Sequence, residues 1–311
     1  MGLIKAIVGS VAGSLISSIV GIHGWQWAFF IVVPVGVVLV VLALLWLPRS
    51  ESQPQGRLDV LGSVVFVLFV ICLLLGLKGI QLSDPVSSLC APATWGPVLA
   101  AIVLAVAFRF VEHRAEQPVF HLEYLHDRRI RIIMAVSFFV GCFIITMTLV
   151  PEYAENVLSI EVGSGGYFTA VIGVFAIAGP PMGGKLIDKH GAKPVLLAGL
   201  FVTALGFAFV AFFVTFNPSI PAMVFGLMVI GLGMGFTMGT PLNYMMLENT
   251  APEESASAIA TTSLVRQMGT TLAPALLVGF TTAGLGVTGY CYMMVAVVVF
   301  NIVSMLLLVR Y

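Results

Sequence analysis

The sequence predicts an all-α polytopic membrane protein with ten transmembrane helices, and three observations carry that expectation. First, only 9% of the 311 residues are charged while 59% are hydrophobic. A soluble domain carries about 25% charged residues, so this chain has too few charges to coat a globule in water. Second, apolar runs of roughly 17 to 25 residues, the length that crosses a hydrocarbon core, recur along the whole chain. Third, those runs lack the alternating polarity of membrane-barrel strands. Backbone in lipid must satisfy its own hydrogen bonds, which leaves separate helices. The balance of 14 Lys+Arg against 14 Asp+Glu argues against nucleic-acid binding, which needs a basic surface. Cys72, Cys90, Cys142 and Cys291 are too scattered for a disulfide framework or a zinc site.

The spans are placed in order as follows. Span 2–22 has no basic region followed by a short apolar core and a cleavage site, so it reads as a retained helix. Its Gly9 and Gly13 are four residues apart, the spacing that lets helix backbones approach closely in lipid. Span 26–47 opens on an aromatic cluster. Spans 58–81 and 95–111 flank the polar stretch QLSDPVSSLCAPAT. A connector, EHRAEQPVFHLEYLHDRRIR, leads to span 130–151, and PEYAENVLSIEVGSG separates it from span 165–187. Spans 194–216 and 220–247 follow, the latter with GLGMGFTMG, whose Gly235 and Gly239 again suit close packing. Spans 256–282 and 287–309 end the chain. Pro34, Pro180, Pro181, Pro241 and Pro274 interrupt spans, and each removes a backbone hydrogen bond that a neighbour must replace. They are either tolerated kinks or bending points that line a cavity.

Direction follows from the positive charges, because cytoplasmic segments retain Lys and Arg. With the N-terminus inside, inner ends hold Lys5, Arg49, Arg57, Arg109, Arg114, Arg128, Arg129, Arg131, Lys185, Lys189, Lys193 and Arg310. Only Lys78 and Arg266 of the 14 cations fall elsewhere. Trp25, Trp27 and Trp95 at the outer ends and Trp46 at an inner end occupy aromatic-belt positions.

Arg266 is the one charge deep in a span. Insertion scales put an Arg at helix centre at roughly +2.5 to +3.5 kcal/mol, so it is expected to face the bundle interior, water or a partner. Its role is either a helix-to-helix tether or a position on a substrate path. With Gln267 and Thr270 on the same helix, and Thr240, Asn243 and Tyr244 around Pro241, it forms the candidate polar lining. No carboxylate lies in the interior of a span. His113, His121 and His126 share a connector without metal-ligand spacing. No nucleophile elbow, zincin or Walker motif is present, so no enzyme and no cofactor is expected.

Two stretches then resemble a known family. GGKLIDKHGAKP, residues 183–194, is similar to the loop motif of the major facilitator superfamily, with Gly184, Leu186, Asp188, Lys189, Gly191 and Lys193 matching and Ala192 departing. GWQWAFFIVVPVG, residues 24–36, resembles a signature of that superfamily's fourteen-helix drug:proton antiporters. PEESASAIATTSLVRQMGTTLAPAL resembles the family's late segment, with Arg266, Gln267 and Gly269 in place. At GSVAGS, Ser10 and Ser14 depart from the antiporter motif. The resemblance implies a register. Residues 1–48 would be the last two helices of an N-terminal bundle, 49–129 an inserted helix pair with its inner loop, and 130–311 a C-terminal six-helix bundle. It implies export of drug-like or amphipathic cations in exchange for protons, with the bilayer, a small-molecule substrate and the proton as partners. Asp188 would latch a gate, near a helix N-terminus whose dipole favours a carboxylate, with the lysines pairing across the bundle interface. Ten helices are four fewer than that family has. The further expectations are therefore a missing or separate four-helix segment, as in a split transporter, or a non-transporting scaffold.

Overall fold

In lipid the acyl chains are as apolar as leucine, so helices associate through close packing and hydrogen bonds rather than through exclusion of water. The computed structural model describes residues 26–46, 59–80, 91–114, 122–161, 164–177, 179–238, 240–282 and 285–311, with Ser88 and Phe120 between them. These residues are mostly helical, with no strand among them. The first predicted span lies outside the described residues.

Helix α1 (Gln26–Trp46) carries Pro34 and exposes every side chain from Val33 to Trp46 around a half-buried Gly36. Helices α2 (Val60–Lys78) and α3 (Pro92–Glu112) form a hairpin-like pair. Asp59 caps α2 by accepting from the Gly62 amide at 2.7 Å. Gly76 lets α3 approach, since a Cβ there would lie 2.6 Å from Val98 Cγ2. Phe66 meets Phe108 with ring centroids 5.4 Å apart.

The larger body begins at α4 (Arg128–Ile144), capped by Asp127 through the Arg129 amide at 2.6 Å. Across Ile145, α5 (Thr146–Leu158) continues it, making a span of 31 residues. The expected outer loop beginning at Pro151 is thus largely helix. Pro151 has no amide hydrogen, which frees the carbonyl four residues back. That carbonyl, Met147 O, accepts the Thr169 hydroxyl at 3.3 Å instead. The helix ends at Ser159, which is left-handed (φ 53°).

Helices α6 (Gly166–Ile177) and α7 (Gly179–His190) make the next span, and α8 (Ala192–Phe209) follows after the single residue Gly191. A π-helical turn, Val210–Val214, closes α8. Its extra residue turns the Val210 carbonyl into a three-way acceptor. The Thr215 amide (3.1 Å), the Thr215 hydroxyl (3.1 Å) and the fully buried Tyr153 hydroxyl (3.2 Å) all donate to it. Helices α9 (Ile220–Thr237) and α10 (Thr240–Glu248) form one long span. A short 3₁₀ turn, Pro252–Glu254, leads into α11 (Ser255–Thr282), and α12 (Val287–Val309) is last.

Seven of these units, among the described residues, are long and apolar enough to cross a membrane: α2, α3, α4–α5, α6–α7, α8 with its π turn, α9–α10 and α12. The 28-residue α11 is long enough but carries Arg266, Gln267 and several threonines, and it packs against α4, α12 and α2.

Glycines set the closest crossings. A Cβ on Gly141 of α4 would lie 2.0 Å from the Arg266 carbonyl oxygen of α11, and one on Gly269 of α11 would lie 2.0 Å from the Phe138 carbonyl oxygen of α4. The relation is reciprocal: each glycine aims a Cα–H at the other helix's carbonyl, a weak hydrogen bond that recurs at such interfaces. Gly235 of α9 faces Gly179 of α7 in the same manner, its Cβ position 2.7 Å from the Gly179 Cα.

Gly141→Ala and Gly269→Ala are therefore expected to cost about 1–3 kcal/mol each, the usual cost of overpacking. The measurement is thermal unfolding in detergent. Gly173→Ala, whose Cβ would meet nothing within 4 Å, is expected to leave the midpoint nearly unchanged. Tyr153→Phe is expected to lose about 1 kcal/mol, the usual net worth of a buried hydrogen bond, here the one from its hydroxyl to the Val210 carbonyl.

Candidate functional site

Two sets of polar side chains lie on helices of the bundle. The first is on α11. Arg266 and Thr270 are four residues apart and share a helix face, and both are half-buried beside the Gly141 crossing. The Thr270 hydroxyl lies 3.2 Å from the Arg266 carbonyl and 3.3 Å from the Gly141 carbonyl, so it bridges α11 to α4. The Arg266 guanidinium has Ser263 Oγ at 3.4 Å from Nη2. No carboxylate pairs with it among the described residues. Gln267 is one position further round and exposed, its carbonyl accepting from Thr271 at 2.9 Å.

The second set is on α10. Thr240 and Tyr244 are exposed, while Asn243 is half-buried with its Oδ1 enclosed and unpartnered among the described residues. Helix α10 packs against α11, and no hydrogen bond joins the two sets. An enclosed amide oxygen without a donor is costly unless water or a ligand supplies one.

The motif at residues 183–194 takes a different form from the expected loop. Helix α7 runs through Gly184, Asp188 and Lys189 to His190, and only Gly191, at φ 84°, breaks the helical path before α8. Asp188 thus lies in the last turn of α7 rather than at a helix start, so the dipole of its own helix disfavours the carboxylate there. This corrects the dipole argument for the latch. Asp188 and Lys189 are exposed, and Gly184 has open space where a side chain would be. Lys193 does not meet a carboxylate among the described residues; its Nζ sits 5.7 Å from the centroid of the Tyr311 ring.

Of the packing glycines read from spacing, Gly9, Gly13 and Gly239 lie outside the described residues, and Gly235 meets Gly179 as described above. Sequence reasoning missed Gly141, the one glycine of its span, although Ser137 stands four positions before it; Gly179, four positions before Gly183, has the small-residue spacing that suits close packing. Sequence reasoning also missed Tyr153 and Tyr311, whose roles depend on partners 57 or more residues distant.

The helical architecture agrees with what comparison of the chain shows. It is 29% identical over 289 residues to the uncharacterised MFS-type transporter YfiU of Bacillus subtilis, an alignment covering 91% of this chain and 54% of that protein. It is 26% identical to a multidrug resistance protein B homolog of Mycobacterium tuberculosis (88% of this chain, 51% of that protein). To the multidrug transporter protein MdtP of Bacillus subtilis it is 25% identical (87% and 48%). The chain thus spans about half the length of these relatives. The family description Major Facilitator Superfamily matches residues 2–274, and again residues 132–311. With the match covering most of the sequence, the chain belongs to the major facilitator superfamily and is a multi-pass membrane protein.

Proposed function

We propose that the protein is a secondary transporter that exports drug-like or amphipathic cationic molecules in exchange for protons. In this reading residues 130–311 form one six-helix bundle, residues 1–48 contribute two helices of the opposing bundle, and residues 49–129 form an inserted pair. Alternating access then consists of one bundle rocking against the other about a midplane site. The charge asymmetry of the connectors supports a cell-membrane protein with both ends of the chain cytoplasmic. The multidrug relatives support the substrate class.

The observation that carries the reading is Arg266. A cation kept inside a spanning helix costs free energy in any static state. Here it is half-buried, fixed at a glycine crossing, and has no carboxylate partner among the described residues. Such a group is best explained by a partner that comes and goes. Thr270 and Gln267 on α11, with Thr240, Asn243 and Tyr244 on α10, extend the polar path around it. Asp188, Lys189 and Lys193, with Gly184 and Gly191 setting the backbone, form the inner gate.

The test is efflux of a cationic dye from proteoliposomes carrying the protein under an imposed proton gradient. Arg266→Gln is expected to slow efflux about tenfold or more, equivalent to about 1.4 kcal/mol, with an unchanged unfolding midpoint, and Arg266→Lys to restore part of it. Asp188→Asn is expected to slow transport without unfolding the protein; undiminished efflux would remove Asp188 from the gate. Efflux that ignores a protonophore would exclude proton exchange.

A further inference from the structure

Helix α4 opens with RRIR and α8 with AKP, so Arg128, Arg129, Arg131 and Lys193 all sit in first turns. A helix N-terminus carries about half a positive charge and favours anions. Each of these cations therefore stands against the dipole of its own helix. The two helix starts converge on one residue: the Arg129 guanidinium carbon lies 6.0 Å, and Lys193 Nζ 5.7 Å, from the centroid of the Tyr311 ring. Asn249, just past α10, fixes that ring by donating from Nδ2 to the Tyr311 hydroxyl at 2.8 Å. Arg310, the C-cap of α12, stands beside it.

Because each lies within 6.0 Å of the same ring centroid, the two cations are at most about 12 Å apart, comparable to the roughly 10 Å over which 0.1 M salt screens. None of the five cations has an ion pair among the described residues. The nearest carboxylate by sequence, Asp127, is engaged with the Arg129 amide at 2.6 Å. The start of α8 adds amides that no side chain caps. The apolar helices α8 and α12 are each long enough to cross a membrane, so these cations at their ends lie at headgroup depth. Cations, uncapped amides and a ring at the end of apolar spans match a phosphate attached to acyl chains better than a phosphate in water.

We propose that the inner ends of α4, α8 and α12 form a binding site for the headgroup phosphate of an anionic phospholipid, held by Arg129 and Lys193 around Tyr311. Basic pockets at the cytoplasmic ends of spanning helices are suited to such headgroups. The site is separate from the polar region on α10 and α11, and it does not depend on which molecule is transported.

The experiment is native mass spectrometry of the whole chain released from mixed micelles containing phosphatidylglycerol or phosphatidylcholine. Phosphatidylglycerol is expected to be retained in preference to phosphatidylcholine. Arg129→Gln and Lys193→Gln are each expected to lower that retention about fivefold, the size expected for one surface cation. Lys78→Gln, on an exposed cation of α2, is expected to leave it unchanged. Equal retention of the two lipids by the unaltered chain overturns the proposal without reference to any variant. So does undiminished retention in the Arg129→Gln/Lys193→Gln chain. Displacement of phosphatidylglycerol by millimolar inorganic phosphate would show a site for free phosphate, and would overturn the lipid assignment.

Discussion

The structure depends on the backbone contact between α4 and α11. In a medium as apolar as its own side chains, a helix pair gains most from approaching closely enough for its backbones to touch. Gly141 and Gly269 permit that from both sides at once, each facing a carbonyl of the other helix. The contact sets where Arg266 and Thr270 stand, because the carbonyl that Gly141 meets is that of Arg266 itself. It also supplies Thr270 with a second acceptor across the interface. A side chain at either glycine would push the helices apart and move the guanidinium with them.

A second constraint is that every interruption of a helix must find its lost hydrogen bond elsewhere. Pro151 leaves the Met147 carbonyl open, and the Thr169 hydroxyl from α6 occupies it. The π turn after α8 gathers two groups of Thr215 and the phenol of Tyr153 on one carbonyl. Tyr153 in turn meets Tyr290 of α12 edge-on, with centroids 5.9 Å apart, and Tyr290 donates to Glu152 at 3.3 Å. The adjoining ends of α5, α8 and α12 are thereby tied by hydroxyls rather than by charge pairs. Hydroxyls suit this depth because they bring no ionic desolvation cost.

Much of this was legible in the sequence, and the reasons are physical. Hydrophobic length reports on bilayer thickness, so the apolar runs that became α2, α3, α8 and α12 could be located to within a few residues. Proline was a poorer guide. At Pro151 it suggested an outer loop, yet the helix passes through it, since a threonine 18 residues further on replaces the missing bond. The GGKLIDKHGAKP motif was recognisable as a family resemblance, but its conformation was not. Leu186, Ile187 and Lys189 continue a good helical stretch, and a single glycine was enough to turn the chain. On the candidate site, the sequence marked Arg266 because a charge in a span is costly. It could not reveal Gly141, since nothing in a lone glycine says which carbonyl will face it.

Gly191 has a mechanical consequence. A connection of one residue holds almost no slack, and its positive φ is a conformation that a side-chain-bearing residue adopts only under strain. Helices α7 and α8 are therefore joined at Gly191 by something closer to a fixed elbow than to a tether. A tilt of one must be followed by the other, and any relative motion has to appear at their far ends, where α8 closes in its π turn.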